Sequence, residues 1–201
     1  MRKFTQEALL IATHNSGKLE EISELLANRN IKLFAMGDFD LPEPEETETT
    51  FVGNARIKAH AAAAATGHVA LADDSGLCVD ALHGAPGVYT ADWAETPAGR
   101  DFQLAMRRVH DELDQCGAPE PWRAAFVCTL VLAWPDGHDE VFEGRIEGRI
   151  VNPGRGAHGH GYDPIFQPDG HTQTFGEMDR WQKNRLSHRG LAFQKLLACF
   201  T

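Results

Sequence analysis

Long apolar runs are missing from this chain of 201 residues, and no stretch approaches the roughly 18 apolar residues that a membrane-crossing helix needs. Cysteine is sparse. There are only four, Cys78, Cys116, Cys128 and Cys199, and no two form a CxxC pair, which argues against a zinc knuckle. Cys78 and Cys128 lie in apolar, strand-like runs and read as reduced fillers, as expected in a reducing compartment. Positive charge is also short. Lys and Arg number 19 against 29 Asp and Glu, for a net charge of −10. That excess argues against a nucleic-acid polymer as partner, whose binding usually needs a basic stripe. A small polyanion carried with a divalent cation stays compatible with it, because positive charge can be concentrated locally in an acidic protein. The opening MRKFTQEALLIAT has a basic pair but an apolar run of only about five residues, too short for a secretory signal. The expectation is a cytoplasmic protein, 42% hydrophobic and 24% charged, forming a single domain over 1–201.

The chain carries no internal repeat and no obvious linker. ALLIAT (8–13) reads as a strand and GKLEEISELLANR (17–29) as a helix, with Leu19, Ile22, Leu25 and Leu26 at helical spacing. IKLFAM (31–36) is a second strand, and the acidic, proline-bearing 41–50 is a loop. Alanine-rich 51–66 is a helix. VALADD (69–74) is a strand, followed by a turn at Ser75-Gly76 and a short apolar run. A long helix is expected over 97–116. Two long strands, 123–135 and 139–151, flank a turn at PDGH, which is a hairpin pattern. A glycine-rich loop follows, and LAFQKLLACF closes the chain as a helix. Strand and helix alternate first and a hairpin comes later, so the pattern predicts an α/β fold with a mixed, twisted sheet.

The segment THNSGK (13–18) sits between the first strand and the first helix. A helix N-terminus offers unpaired N–H groups and partial positive charge, which suits phosphate. Thr13, Asn15 and Ser16 add side-chain donors, Gly17 permits close backbone approach and Lys18 adds a full charge. The loop is too short in glycine for the Walker pattern, and by itself it equally fits a plain N-capped helix with Asn15 or Ser16 as cap. ALADDSG (70–76) ends a strand in Asp73 and Asp74. Ligands gather at the carboxyl ends of strands in open α/β sheets, and adjacent strand residues point to opposite faces, so one of the two aspartates is expected at the site. Two carboxylates beside phosphate repel it unless a cation intervenes, and Mg²⁺ binds through one or two carboxylates plus phosphate oxygens. Asn54 and Lys58 lie four apart on one helix face, so Lys58 is either a second phosphate cation or an exposed, snorkelling lysine. Further along, Tyr162 and Asp163 offer a ring and an acceptor, and Lys183, His188 and Arg189 offer donors. Ser187 is placed to cap the last helix, and His158 and His160, two apart, make a metal pair conceivable.

Taken together these blocks resemble the inosine triphosphate pyrophosphatase family, the XTP/dITP diphosphatases. The matching segments are THNSGK, EETETTFVGNARIKA (45–59), ALADDSGLCVDALHGAPGVYTADWA (70–94), GYDPIF (161–166) and SHRGLA (187–192), in the family's order. The resemblance implies a triphosphate loop over Thr13, His14, Asn15, Ser16, Gly17 and Lys18. It implies Mg²⁺ held by Glu46 and Asp74, with Asp74 also the proton acceptor and Asp73 in support. Lys58 and Ser75 would contact substrate, Gly161, Tyr162, Asp163 and Lys183 would serve base and sugar, and His188 and Arg189 would read the purine. His160 stands where the family usually has phenylalanine, and it offers a smaller stacking face to the base. The implied reaction is hydrolysis of ITP, dITP or XTP to monophosphate and pyrophosphate, at a cleft between two lobes of a long mixed sheet flanked by helices, in a homodimer. A carboxylate near its ordinary pKa is a weak base, so most activation is expected from the metal. Two other readings fit the same motifs less well: a Maf-like pyrophosphatase for other modified nucleotides, and a nucleotide sensor without turnover.

Overall fold

In a computed structural model that describes residues 1–200, the side chain of Ser16 excepted, the chain forms a six-stranded mixed sheet flanked by helices. Strand β1 (Ala8–Ile11) leads to helix α1 (Ser16–Leu26), β2 (Lys32–Ala35), α2 (Phe51–Thr66) and β3 (Ala70–Val79). Strand β1 pairs in parallel with both β2 and β3, the arrangement that strand–helix–strand crossovers produce. A two-stranded hairpin, β4 (Glu95–Thr96) and β5 (Gly99–Arg100), precedes α3 (Phe102–Gln115). The long strands β6 (Arg123–Ala133) and β7 (Asp139–Ile150) follow, then β8 (Phe166–Pro168), α4 (Arg180–Leu186) and α5 (His188–Leu196). The sheet order is β2-β1-β3-β6-β7-β8, with β7 and β8 antiparallel. Among the described residues no helix is long and apolar enough to cross a membrane.

The chain divides into two compact units. The first takes Met1–Asp74, Thr129–Glu143 and the stretch from Ala192 onward; the second takes Ser75–Cys128 and Gly144–Leu191. Each has its own core. In the first, Ala55, Ala59, Ala62 and Ala63 of α2 meet Leu10, Ala70, Ala72, Val131 and Ala133 of the sheet. Alanine at these positions leaves little side-chain bulk between helix and strands, which is why a helix of low amphipathicity is so fully buried on one face. In the second, Phe126, Phe166 and Phe175 cluster with Leu77, Val109 and Ile165.

Two local expectations are corrected. Ser75 and Gly76 do not turn; β3 runs through them to Val79, its residues mostly buried in the sheet interior. The helix expected from residue 97 starts at Phe102, because Gly99 takes a left-handed φ of 112° in the β4–β5 hairpin and Asp101 caps the helix by accepting from the N–H groups of Gln103 and Leu104. Helix α4 and strand β8 have no counterpart in the sequence reading.

Candidate active site

Helix α1 opens as an N-cap. Asn15 Oδ1 accepts from the Lys18 N–H at 3.1 Å, and the Asn15 N–H donates to Thr13 Oγ1 at 3.2 Å. Lys18 is thereby fixed in the first turn, and its Nζ lies 2.8 Å from Asp73 Oδ2. His14 turns toward the acidic loop instead. Its Nε2 is 3.1 Å from the Leu41 carbonyl and its Nδ1 is 3.7 Å from Glu43. That ring links the 13–18 loop to the segment that carries Glu46. The side chain of Ser16, placed in the same loop by the sequence, lies outside the described residues.

Helix α2 brings the next cation. Thr50 caps it by accepting from the Gly53 N–H, and Asn54 Oδ1 accepts from the Glu48 N–H at 2.9 Å, which folds the acidic loop back over the helix start. A β-carbon at Gly53 would stand 2.6 Å from Glu48 Cβ, so glycine makes this approach possible. One turn further on Lys58 is buried, not a snorkelling surface lysine, and its Nζ lies 2.5 Å from Glu46 Oε1. Burial alone would lower the Lys58 pKa, but the charges of Asp73, Asp74 and Glu46 outweigh it and the ammonium is held above its ordinary value. Asp73 and Asp74 therefore both act on the same lysine, although strand alternation predicted one aspartate at the site.

Asp74 is 6% exposed. Burial raises its carboxyl, Lys58 and Lys18 pull it down and the charges of Glu46 and Asp73 push it up, so that it comes to about 6. Without a metal ion, burial and these charges together hold the carboxyl above the ordinary carboxylate range. A carboxylate titrating near working pH is a better proton acceptor than one near 4. All of these groups, from Thr13 to Asp74, belong to the first compact unit.

The purine-side residues belong to the second. Asp163 is buried, and its Oδ2 accepts from the His160 N–H at 2.6 Å and from Lys183 Nζ at 2.5 Å. This one carboxylate organises the 159–163 loop. A β-carbon at Gly159 would collide with the same oxygen, and Gly161 takes φ 67°. The Tyr162 ring is buried, and its hydroxyl donates to the Thr90 carbonyl at 3.0 Å; burial pushes its pKa up and keeps that donor protonated. Tyr162 thus anchors the loop through its hydroxyl. His160 is exposed, Ser75 and Arg189 are half-buried, and His188 is buried, stacked on Phe126 at 4.7 Å and 11°. Ser187 caps α5 by accepting from the Gly190 N–H at 3.2 Å. Sequence reasoning missed Phe126, which supports the His188 ring, because a phenylalanine in an apolar strand reads only as core.

The donor set suits a hard dication. Glu46 and Asp74 offer oxygen ligands, and the like charge that raises Asp74 is what a cation would relieve. Among the described residues no three His, Cys, Asp or Glu side chains gather into a metal cage.

The chain is similar to proteins of one family along nearly its whole length. The dITP/XTP pyrophosphatase of Ruegeria pomeroyi is 63% identical over 200 residues, covering 99% of this chain and 98% of its own. That of Rhodospirillum centenum is 54% identical with the same coverage. A HAM1 protein from Coxiella burnetii superposes with a TM-score of 0.89 at 38% identity, over 96% of this chain and 98% of that one. The Staphylococcus aureus Ham1 protein gives 0.84 at 33%, over 95% and 96%. With the Ham1 family model matching residues 9–199, this chain belongs to the Ham1 family.

Proposed function

We propose that the chain hydrolyses deaminated purine nucleoside triphosphates (ITP, dITP and XTP) to the monophosphate and pyrophosphate, acting as one catalytic domain over 1–201. The observation that carries this reading is the concentration of Lys18, Lys58, Glu46, Asp73 and Asp74 on one unit of an otherwise acidic chain. It is supported by relatives named dITP/XTP pyrophosphatases along nearly the whole length. A triphosphate brings about four negative charges near neutral pH. Lys18, Lys58 and the N-terminus of α1 would offset part of them. Glu46 and Asp74 would hold Mg²⁺. When bound, that ion supplies further charge neutralisation and makes a coordinated water more acidic. Asp74 would orient the attacking water and take its proton.

Base choice falls to the second unit. The 6-oxo group of hypoxanthine and xanthine accepts hydrogen bonds, whereas adenine presents a 6-amino donor. Arg189 donors would meet adenine donor to donor, and an unpaired buried polar group costs about 1–3 kcal/mol, roughly 5- to 150-fold. Guanine shares the 6-oxo group, so its rejection must act on the 2-amino group. We extend the reading to a cytoplasmic homodimer, with 53%-exposed Tyr89 as a candidate interface aromatic and Trp93, which packs against the core of the second unit, as interface or core.

Product chromatography tests it. With Mg²⁺, dITP and XTP should give monophosphate and pyrophosphate while ATP and GTP stay nearly intact. Nucleotide bound without turnover would favour a sensor. Diphosphate and inorganic phosphate as products would mean a different phosphorus is attacked.

A further inference from the structure

Each of the three lysines assigned to substrate is held by a carboxylate in the resting chain: Lys18 by Asp73, Lys183 by Asp163 and Lys58 by Glu46. In the first two pairs the carboxylate is the deeply buried member, with side-chain exposures of 1% and 2%. The third pair is inverted. Lys58 has 7% of its side chain exposed and Glu46 has 33%. Lys58 is also fixed from below, on α2 and in the field of Asp73 and Asp74. Glu46 sits in the 41–50 segment, which has no helix or strand. The movable member of this pair is therefore an expected metal ligand, and its partner ammonium lies where a cation would bind.

We infer that Lys58 is an exchangeable internal cation, which occupies Glu46 in the resting protein and is released to the triphosphate when a divalent ion takes that carboxylate. The inference rests on the function proposed above. An ammonium 2.5 Å from Glu46 Oε1 and a dication on the same carboxylate would repel each other strongly at such close range. With a dication on Glu46, that carboxylate, the movable member, would leave Lys58, whose ammonium would then be free to meet the triphosphate. Without metal, Glu46 competes with phosphate for the same ammonium. Metal and nucleotide affinities are then linked through one exchange, and linkage makes the effect reciprocal.

The test is calorimetric titration with a non-hydrolysable α,β-methylene analogue of dITP, in chelator and in Mg²⁺. In chelator, Glu46→Gln should bind the analogue about fivefold tighter than the unaltered chain, because Lys58 is freed. Its further gain on adding Mg²⁺ should shrink. Glu45→Gln removes the same charge from the same loop without touching that pair, and should give little gain. In a Lys58→Met background, Glu46→Gln should lose most of its benefit. The exchange is refuted if Glu46→Gln gives no gain in chelator. It is equally refuted if Glu45→Gln gains as much, or if the gain persists undiminished in the Lys58→Met background, since simple relief of negative charge would then explain it. If the unaltered chain fails to bind the analogue even with Mg²⁺, the site assignment falls and the exchange falls with it.

Discussion

Replacing Lys183 with methionine keeps the length of the side chain and removes its charge. Asp163, with 2% of its side chain exposed, then loses the ammonium 2.5 Å from its Oδ2. Removing one partner of a buried ion pair typically costs about 3–5 kcal/mol, because the remaining charge stays desolvated. Asp163 keeps the His160 N–H at 2.6 Å, and the methionine retains contact with the apolar wall around Phe175, over which the ammonium sits at 5.7 Å. The lower end applies, about 3 kcal/mol. Urea denaturation at pH 7 without nucleotide should show this as a lower midpoint at unchanged slope. Thermal unfolding should fall by roughly 6–12 °C for a chain of this size. Adding Asp163→Asn to the Lys183→Met variant should recover at least half of the loss, since a neutral amide needs no counter-charge. A loss below about 1 kcal/mol, or no recovery in the double variant, would refute the argument that Asp163 is a buried charge balanced by Lys183.

Asp139 receives hydrogen bonds from Arg56 at 3.0 and 3.1 Å and contacts His60 at 2.9 Å; burial works against ionisation, but these partners outweigh it and hold the carboxyl below its ordinary range. Its contribution is full above the unfolded-chain value of about 3.9 and fades as pH falls toward the lower folded value, so Asp139→Asn should cost about 1 kcal/mol at pH 7 and converge with the unaltered chain in acid. Denaturation curves across pH check the sign; a difference that grows on acidification contradicts it. Gly176→Ala would put a β-carbon 2.6 Å from the Arg155 carbonyl and 2.8 Å from Pro164 Cα, both backbone, and should destabilise by about 2–3 kcal/mol in the same assay. Phe126→Leu removes the ring stacked under His188, and should raise KM for dITP several-fold with a smaller change in kcat; unchanged KM would deny Phe126 a positioning role.

The grouping of Lys18, Lys58 and the α1 cap was legible because it follows from local pattern. The i, i+4 spacing of Asn54 and Lys58 places both on one buried face of α2, and the Asn15 cap follows from a strand running into a helix. The alternating segments pointed to the parallel strands, and PDGH to the turn between β6 and β7. What escaped depends on contacts distant in sequence. Ser75 and Gly76 read as a turn, but the interior of the sheet extends β3 through them. The bond from the Tyr162 hydroxyl to the Thr90 carbonyl, 72 residues away, has no local signal. The raised pKa of Asp74 arises from burial and from the charges of Glu46 and Asp73, against the pull of Lys58 and Lys18, a balance that no single motif displays. Helix α4 was invisible because its residues are exposed or half-buried, mostly polar groups around a 74%-exposed Trp181, with no apolar period to reveal it.

The most direct test is Asp74→Asn, assayed by release of pyrophosphate from dITP in Mg²⁺. The amide keeps the size of the side chain but cannot take the proton of the attacking water. Turnover should fall by about 10²–10⁴-fold, the range typical of losing a general base, while the circular dichroism spectrum stays that of the unaltered chain. Turnover within a few-fold of the unaltered chain would contradict the assignment of Asp74 as the proton acceptor.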